Sequence, residues 1–204
     1  MKLAREEILE KLRNITVSLP EKPDFSEDVF AVADKNTERD FKTNFELVNG
    51  KVHVFSEEKE LYENLKLFLQ HFVKTRIISR EPEIQNRLLK YSIDFSEELE
   101  PENESKVAVT GCEFLIARTG SIMMSSAQRG GRQVLVFPRV HIVIARRDQI
   151  VRTPDLAYTG ILKRYGKNFP SQITLITGPS RTADIEKVLT LGAHGPKELH
   201  IFLQ

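Results

Sequence analysis

The stretch most able to do chemistry is Thr177-Gly178-Pro179-Ser180-Arg181-Thr182-Ala183-Asp184. It follows the apolar run Ile173-Thr174-Leu175-Ile176, which reads as a central parallel strand. A helix carrying Ile185, Val188 and Leu189 is expected after it. A strand-to-helix junction in an open α/β sheet lies at the carboxyl end of the strand, where ligands bind. The helix start would offer free N–H groups and partial positive charge. Gly178 would let backbone approach a ligand, Ser180 and Thr182 supply hydroxyls, and Arg181 can grip a carboxylate or phosphate. Asp184 is either a first-turn charge or an orienter of Arg181. The alternative is a plain helix cap with a surface arginine. The Gly-Lys-Ser/Thr end of a nucleotide phosphate loop is absent.

Two further stretches are candidates. Arg118-Thr119-Gly120-Ser121 places two hydroxyls around a glycine between apolar runs, and it is either a ligand contact or an ordinary hairpin turn. Gly192-Ala193-His194-Gly195-Pro196 joins the last helix to the last strand, leaving His194 free to titrate. Glu113 and His141 are secondary candidates, and His141 is equally a satisfied sheet-end histidine. Cys112 has no neighbouring base to lower its pKa, so a nucleophile role is not expected. The five histidines lack metal-ligand spacing, and no metal is predicted.

Elements must position these groups. Ile8, Leu9 and Leu12 suggest a short N-terminal helix, and the Pro-containing residues 19–35 an extended connector. The domain division expected is 1–36 as this extension and 37–204 as the body. Thr37 caps a helix with Phe41, Phe45 and Val48 on one face, stopped by Gly50. Val52–Phe55 is a strand. Ser56 caps a helix whose stripe is Leu61, Leu65, Phe68, Leu69 and Phe72. Residues 76–79 form a strand, and Pro82 opens a helix carrying Ile84 and Leu88. The acidic residues 94–104 read as a solvated loop. Strands then follow at 107–109, 114–117, 122–124, 134–137 and 141–144, a helix from Pro154 to about Gly166, and a last strand at 198–203. This alternation points to an α/β layered fold.

Composition narrows the function. The 204 residues carry one cysteine and a net charge of +1. One cysteine excludes an internal disulfide framework and an iron–sulfur cluster held by this chain alone. The absence of a long apolar run and the charged start argue for a cytoplasmic protein without a membrane span. Residues 1–104 hold 16 basic and 23 acidic side chains, and residues 105–204 hold 14 and 6. The basic second half suits an anionic partner, unless the halves neutralise each other. Few aromatics lie among its arginines, so nucleic acid is not expected.

In their order, these pieces resemble the lactate-utilisation (LUD) domain family, in particular its lactate utilization protein C (LutC/YkgG-like) group. The resemblance rests on Thr110 to Ser121, Pro138 to Ile142, Ile176 to Glu186, Leu191 to Pro196 and Leu199 to Ile201, and covers about residues 40–204. It implies a three-layer α/β/α fold with a mostly parallel central sheet, similar to the sugar-phosphate isomerase and CoA-transferase superfamily. It implies an accessory role in bacterial oxidation of L-lactate to pyruvate, beside iron–sulfur partner proteins that hold the clusters. No cofactor is then expected on this chain, and a small anionic ligand would sit among Thr119, Gly120, Ser121, Gly178, Ser180, Arg181, Thr182, Asp184, His194 and Gly195. The family turn usually reads Glu-Thr-Gly-Thr, so Arg118 reverses a charge here and favours a more anionic ligand. The alternative is a stand-alone enzyme for a small phosphorylated or carboxylated metabolite, with Arg181 as anchor and His194 or Glu113 moving a proton.

Overall fold

A computed structural model of the protein describes residues 4–13, 36–72, 76–98, 107–130, 133–183, 189–191 and 195–204. The chain divides into two units, Met1–Ala33 and Asp34–Gln204. The first holds α1 (Ala4–Arg13), with Lys11 and Arg13 in its last turn, where cations favour the helix dipole.

The second unit is built on a parallel sheet. Among the described residues its order is β1 (Lys51–Val54), β11 (Glu198–Leu203), β6 (Val140–Ala145), β3 (Val107–Thr110) and β2 (Ile77–Ile78). All four pairings are parallel. Alternation along β6 explains how both faces are buried. Val140, Ile142 and Ile144 face α3 (Glu58–Leu69) and α4 (Pro82–Lys90), packing with Leu61, Leu65, Ile84 and Leu88. Val143 and Ala145 face the other way, toward Phe41 and Phe45 of α2 (Thr37–Leu47) and Leu115 and Ile122 of a second sheet.

That second sheet runs β7 (Ile150–Val151), β4 (Phe114–Ile116), β5 (Ser121–Ser125) and β8 (Ile173–Ile176). Its outer face carries Ile116 and Met123 against Ala157 and Ile161 of α5 (Pro154–Tyr165). The fold is therefore α/β with a mostly parallel central sheet, as expected, and the sheet of β7, β4, β5 and β8 with α2 forms the layer on one face of it. No helix among the described residues is long and apolar enough to cross a membrane.

Several local expectations change. Residues 173–176 are not a central parallel strand: β8 pairs antiparallel with β5 at the edge of the second sheet, and Leu175 is 51% exposed. Residues 134–137 are not a strand; Gln133–Leu135 is one 3₁₀ turn that buries Val134 and leaves Phe137 outside. Arg181–Ala183 is not a helix start. It is strand β9, paired antiparallel with β10 (Leu189–Leu191), so Leu189 is in a strand as well. The cap of α2 is Asn36, whose side chain accepts from the Arg39 N–H at 3.0 Å. Ser56 does not cap α3; the N-cap is Glu57, without a side-chain bond. Of the solvated loop foreseen at 94–104, residues 99–104 lie outside the described residues, whereas Ser96 bridges to Ile78.

Candidate functional site

The structure brings most of the expected ligand-binding residues together, at the amino ends of the parallel strands. Ser121 Oγ donates to Thr119 Oγ1 at 2.7 Å and lies 2.7 Å from Thr177 Oγ1. Gly120 has φ +57° and packs on α2, where a Cβ would lie 2.4 Å from the Phe45 nitrogen. Gly178, at φ +79°, approaches Val48 so closely that a Cβ would sit 2.3 Å from its carbonyl oxygen. Arg181 Nη2 donates to that same Val48 oxygen at 3.0 Å. The Ser180 N–H donates to the Pro196 carbonyl at 2.8 Å, beside Gly195. Arg181 thus closes the carbonyl end of α2, where its charge suits the helix dipole. The side chain of Thr182, and Asp184 and His194 entirely, lie outside what is described.

A larger recess opens at the other, carboxyl, ends of the strands, the usual ligand position in such sheets. It has a volume of about 570 Å³, within the range of small-molecule sites. Gly111, Cys112 and Glu113 follow β3, Arg146 follows β6, and Glu81 with Pro82 begins α4. Gln128 and Arg129 come from the segment after β5, and Arg164 and Tyr165 from the last turn of α5.

Glu113 is the buried anchor of this recess, 1% exposed. Its Oε1 accepts from Ser125 Oγ and from the Tyr165 phenol, both at 2.6 Å. Its Oε2 accepts from the Arg164 guanidinium, which also lies over the Phe114 ring. Burial, then the bond to Glu113, pushes the Tyr165 pKa up. Glu81 is the second carboxyl. Its Oε1 accepts the Gly111 N–H at 3.0 Å, and the Gln128 amide lies 3.5 Å from Oε2. Burial pushes its pKa above the ordinary carboxylate value, and the Gly111 bond only partly offsets that. Cys112 is buried and its thiol is pushed up by desolvation, so it is no nucleophile at neutral pH.

The arginines at the recess differ in commitment. Arg164 pairs with Glu113, Arg146 with Asp148 at 3.0 Å, and Arg87 lies 3.8 Å from Glu58. Arg129 is exposed and has no carboxylate partner among the described residues. His141 is elsewhere, buried in β6, with Nε2 2.8 Å from Thr110 Oγ1 and Nδ1 unpartnered. Burial lowers its pKa to about 4. Among the described residues no group of three or more His, Cys, Asp or Glu side chains is placed to hold a metal ion.

Of the recess residues, the sequence marks Glu113 as a secondary site candidate, and Arg129, Arg146 and Arg164 only as members of a basic half. Glu81 and Tyr165 carry no local signal, because their partners Gly111, Gln128 and Glu113 lie tens of residues away. The Glu81-Pro82 pair signalled a helix start and nothing more.

The fold and the recess define an α/β protein with a ligand-sized site at the carboxyl ends of a parallel sheet. The LUD domain model matches residues 38–203, and the chain belongs to that family. It is 30% identical over 134 residues to the lactate utilization protein C of Bacillus subtilis, covering 63% of this chain and 55% of that protein. It is 36% identical over 101 residues to the lactate utilization protein C of Bacillus velezensis, covering 48% and 42%. The uncharacterized protein YkgG of Escherichia coli is 32% identical over 112 residues, covering 53% and 48%. The chain thus spans about half the length of the curated relatives it matches. A crystal structure of a DUF162 family protein from Deinococcus radiodurans shares the fold, with a TM-score of 0.63 at 22% identity, over 82% of this chain and 95% of that one.

Proposed function

We propose that this chain serves lactate utilisation as a ligand-binding accessory subunit, holding a small anion in the carboxyl-end recess. Three things support the reading: the names of its relatives, the position of the recess, and Arg129, which is exposed at its rim. Arg129 is the observation that carries it, since an uncommitted guanidinium in a cleft is a ready carboxylate contact. Electron transfer would belong on iron–sulfur partner proteins, because one cysteine cannot supply the several thiolates that hold a cluster. The test is deletion of the gene, growth on L-lactate, and co-purification of partners with the tagged full chain. Unimpaired growth together with no iron–sulfur partner would sink the proposal.

A second reading, a stand-alone enzyme on a small carboxylated or phosphorylated metabolite, draws support from Tyr165 and the two carboxyls around one recess. Its site would use Glu113 to hold the phenol for proton transfer. The hydroxyl cluster of Thr119, Ser121 and Thr177 is the alternative seat for the anion. A thermal-shift panel of L-lactate, pyruvate, sugar phosphates and CoA esters, repeated on Arg129→Ala and Arg181→Ala, separates the two seats.

A further inference from the structure

Glu81 is an unusual residue to line an anion site. Its carboxyl lies between the backbones of Gly111 and Gly130: a Cβ at Gly111 would meet Oε2 at 3.0 Å, and one at Gly130 would meet Oε1 at 3.5 Å. Gly111 therefore leaves room for this group, Gly130 lies at ordinary contact distance, and the Gly111 N–H fixes Oε1. Among the described residues Oε2 has only the long Gln128 contact. Among the described residues, Glu83, Arg87, Glu113, Arg129, Arg146, Arg164, Tyr165 and Cys112 are the other titratable and charged groups around the recess. Three of those arginines are already paired, so among the described residues Arg129 is the one recess cation without a carboxylate partner, suited to a monoanion.

We propose that Glu81 meets the ligand directly, as a protonated carboxyl sharing its hydrogen with the carboxylate of a small monocarboxylic acid while Arg129 balances the ligand's charge. This deepens the reading of the recess as an anion site and rests on it. No covalent bond changes. When the free site is ionised, binding takes up one proton from solvent; when it is already protonated, none moves. The elevated pKa of Glu81, caused first by burial and also by Glu113 and Glu83, brings that proton within reach.

The experiment is calorimetric titration of the full chain with L-lactate between about pH 5 and pH 8, in buffers of differing ionisation enthalpy. Affinity is expected to fall with rising pH, approaching about tenfold per unit, with proton uptake at the upper end. Glu81→Gln, which keeps the shape and a donor, is expected to bind with a flat pH profile and no uptake. Inorganic phosphate is expected to bind more weakly than L-lactate. A pH slope and proton uptake unchanged in Glu81→Gln overturn the proposal, as does phosphate binding more tightly, or no L-lactate binding at any pH. The growth and partner tests are independent of that slope. A flat slope with impaired growth sinks the proton-sharing role alone, and unimpaired growth without partners sinks the wider reading.

Discussion

The Tyr165 phenol donates to Glu113 Oε1 at 2.6 Å, tying the last residue of α5 to the residue that leads into β4. The helix that backs the second sheet is thereby fixed to the wall of the recess. Glu113→Gln keeps the volume but removes the charge that three donors share. We expect it to lower stability by about 1.5–3 kcal/mol, the scale of hydrogen bonds to a charged group. Urea denaturation checks this, and an unchanged midpoint would show that the Glu113 network is not held together by charge.

Gly178 and Gly166 form an internal comparison. Both have positive φ, +79° and +50°, but nothing lies within 4 Å of a Cβ at Gly166, whereas one at Gly178 collides with Val48. Gly166→Ala is expected to cost about 1 kcal/mol from backbone strain. Gly178→Ala adds overpacking and is expected to cost about 2–4 kcal/mol. Equal losses in thermal melts would argue against the close approach of the Gly178 loop to α2.

Arg181 and Arg129 separate structural from ligand-facing charge. Arg181→Ala removes one exposed hydrogen bond to Val48 and is expected to cost about 0.5–1 kcal/mol without changing L-lactate affinity. Arg129→Ala is expected to leave stability alone and weaken L-lactate about tenfold or more. The reverse pattern in calorimetry would move the anion to the hydroxyl cluster.

Burial of His141 is expected to make the stability fall with acid. The folded pKa of His141 is depressed, from 6.5 to about 4, by burial. Such a group contributes stability that is present above the unfolded pKa and lost as pH falls through the folded one. We expect a loss on the order of 3 kcal/mol between about pH 6.5 and pH 4. In His141→Asn, denaturation midpoints across that window should fall less steeply. An equally steep fall would place the acid sensitivity elsewhere, His200 being next, since its pKa is also lowered to about 4.

Much of the fold is legible in spacing. Leu61, Leu65 and Leu69 announce α3, Pro82 opens α4, and the run His141–Ile144 after Pro138, rich in β-branched residues, marks β6. Two of the strand errors share a cause. Residues 134–137 are a continuous apolar run and 173–176 an almost wholly apolar one, and such runs do not reveal which neighbours will cover them. Ile173–Ile176 found β5 on one side and no strand among the described residues on the other. The recess was hidden for a related reason. Glu81, Gly111, Arg129 and Tyr165 come from four separate segments, and only the folding of two sheets against each other makes them neighbours.

The pairing of β1 with β11 has a consequence for biosynthesis. β11 lies between β1 and β6, so Lys51 meets His200 across a separation of about 150 residues. While a ribosome is still making the intervening chain, β1 has no strand to join and β6 has an open flank. The parallel sheet is finished only when Glu198–Leu203 slides into that gap. Nascent chains stalled before Glu198 should therefore be a natural substrate for chaperones, and full protease resistance should arrive in a single late step.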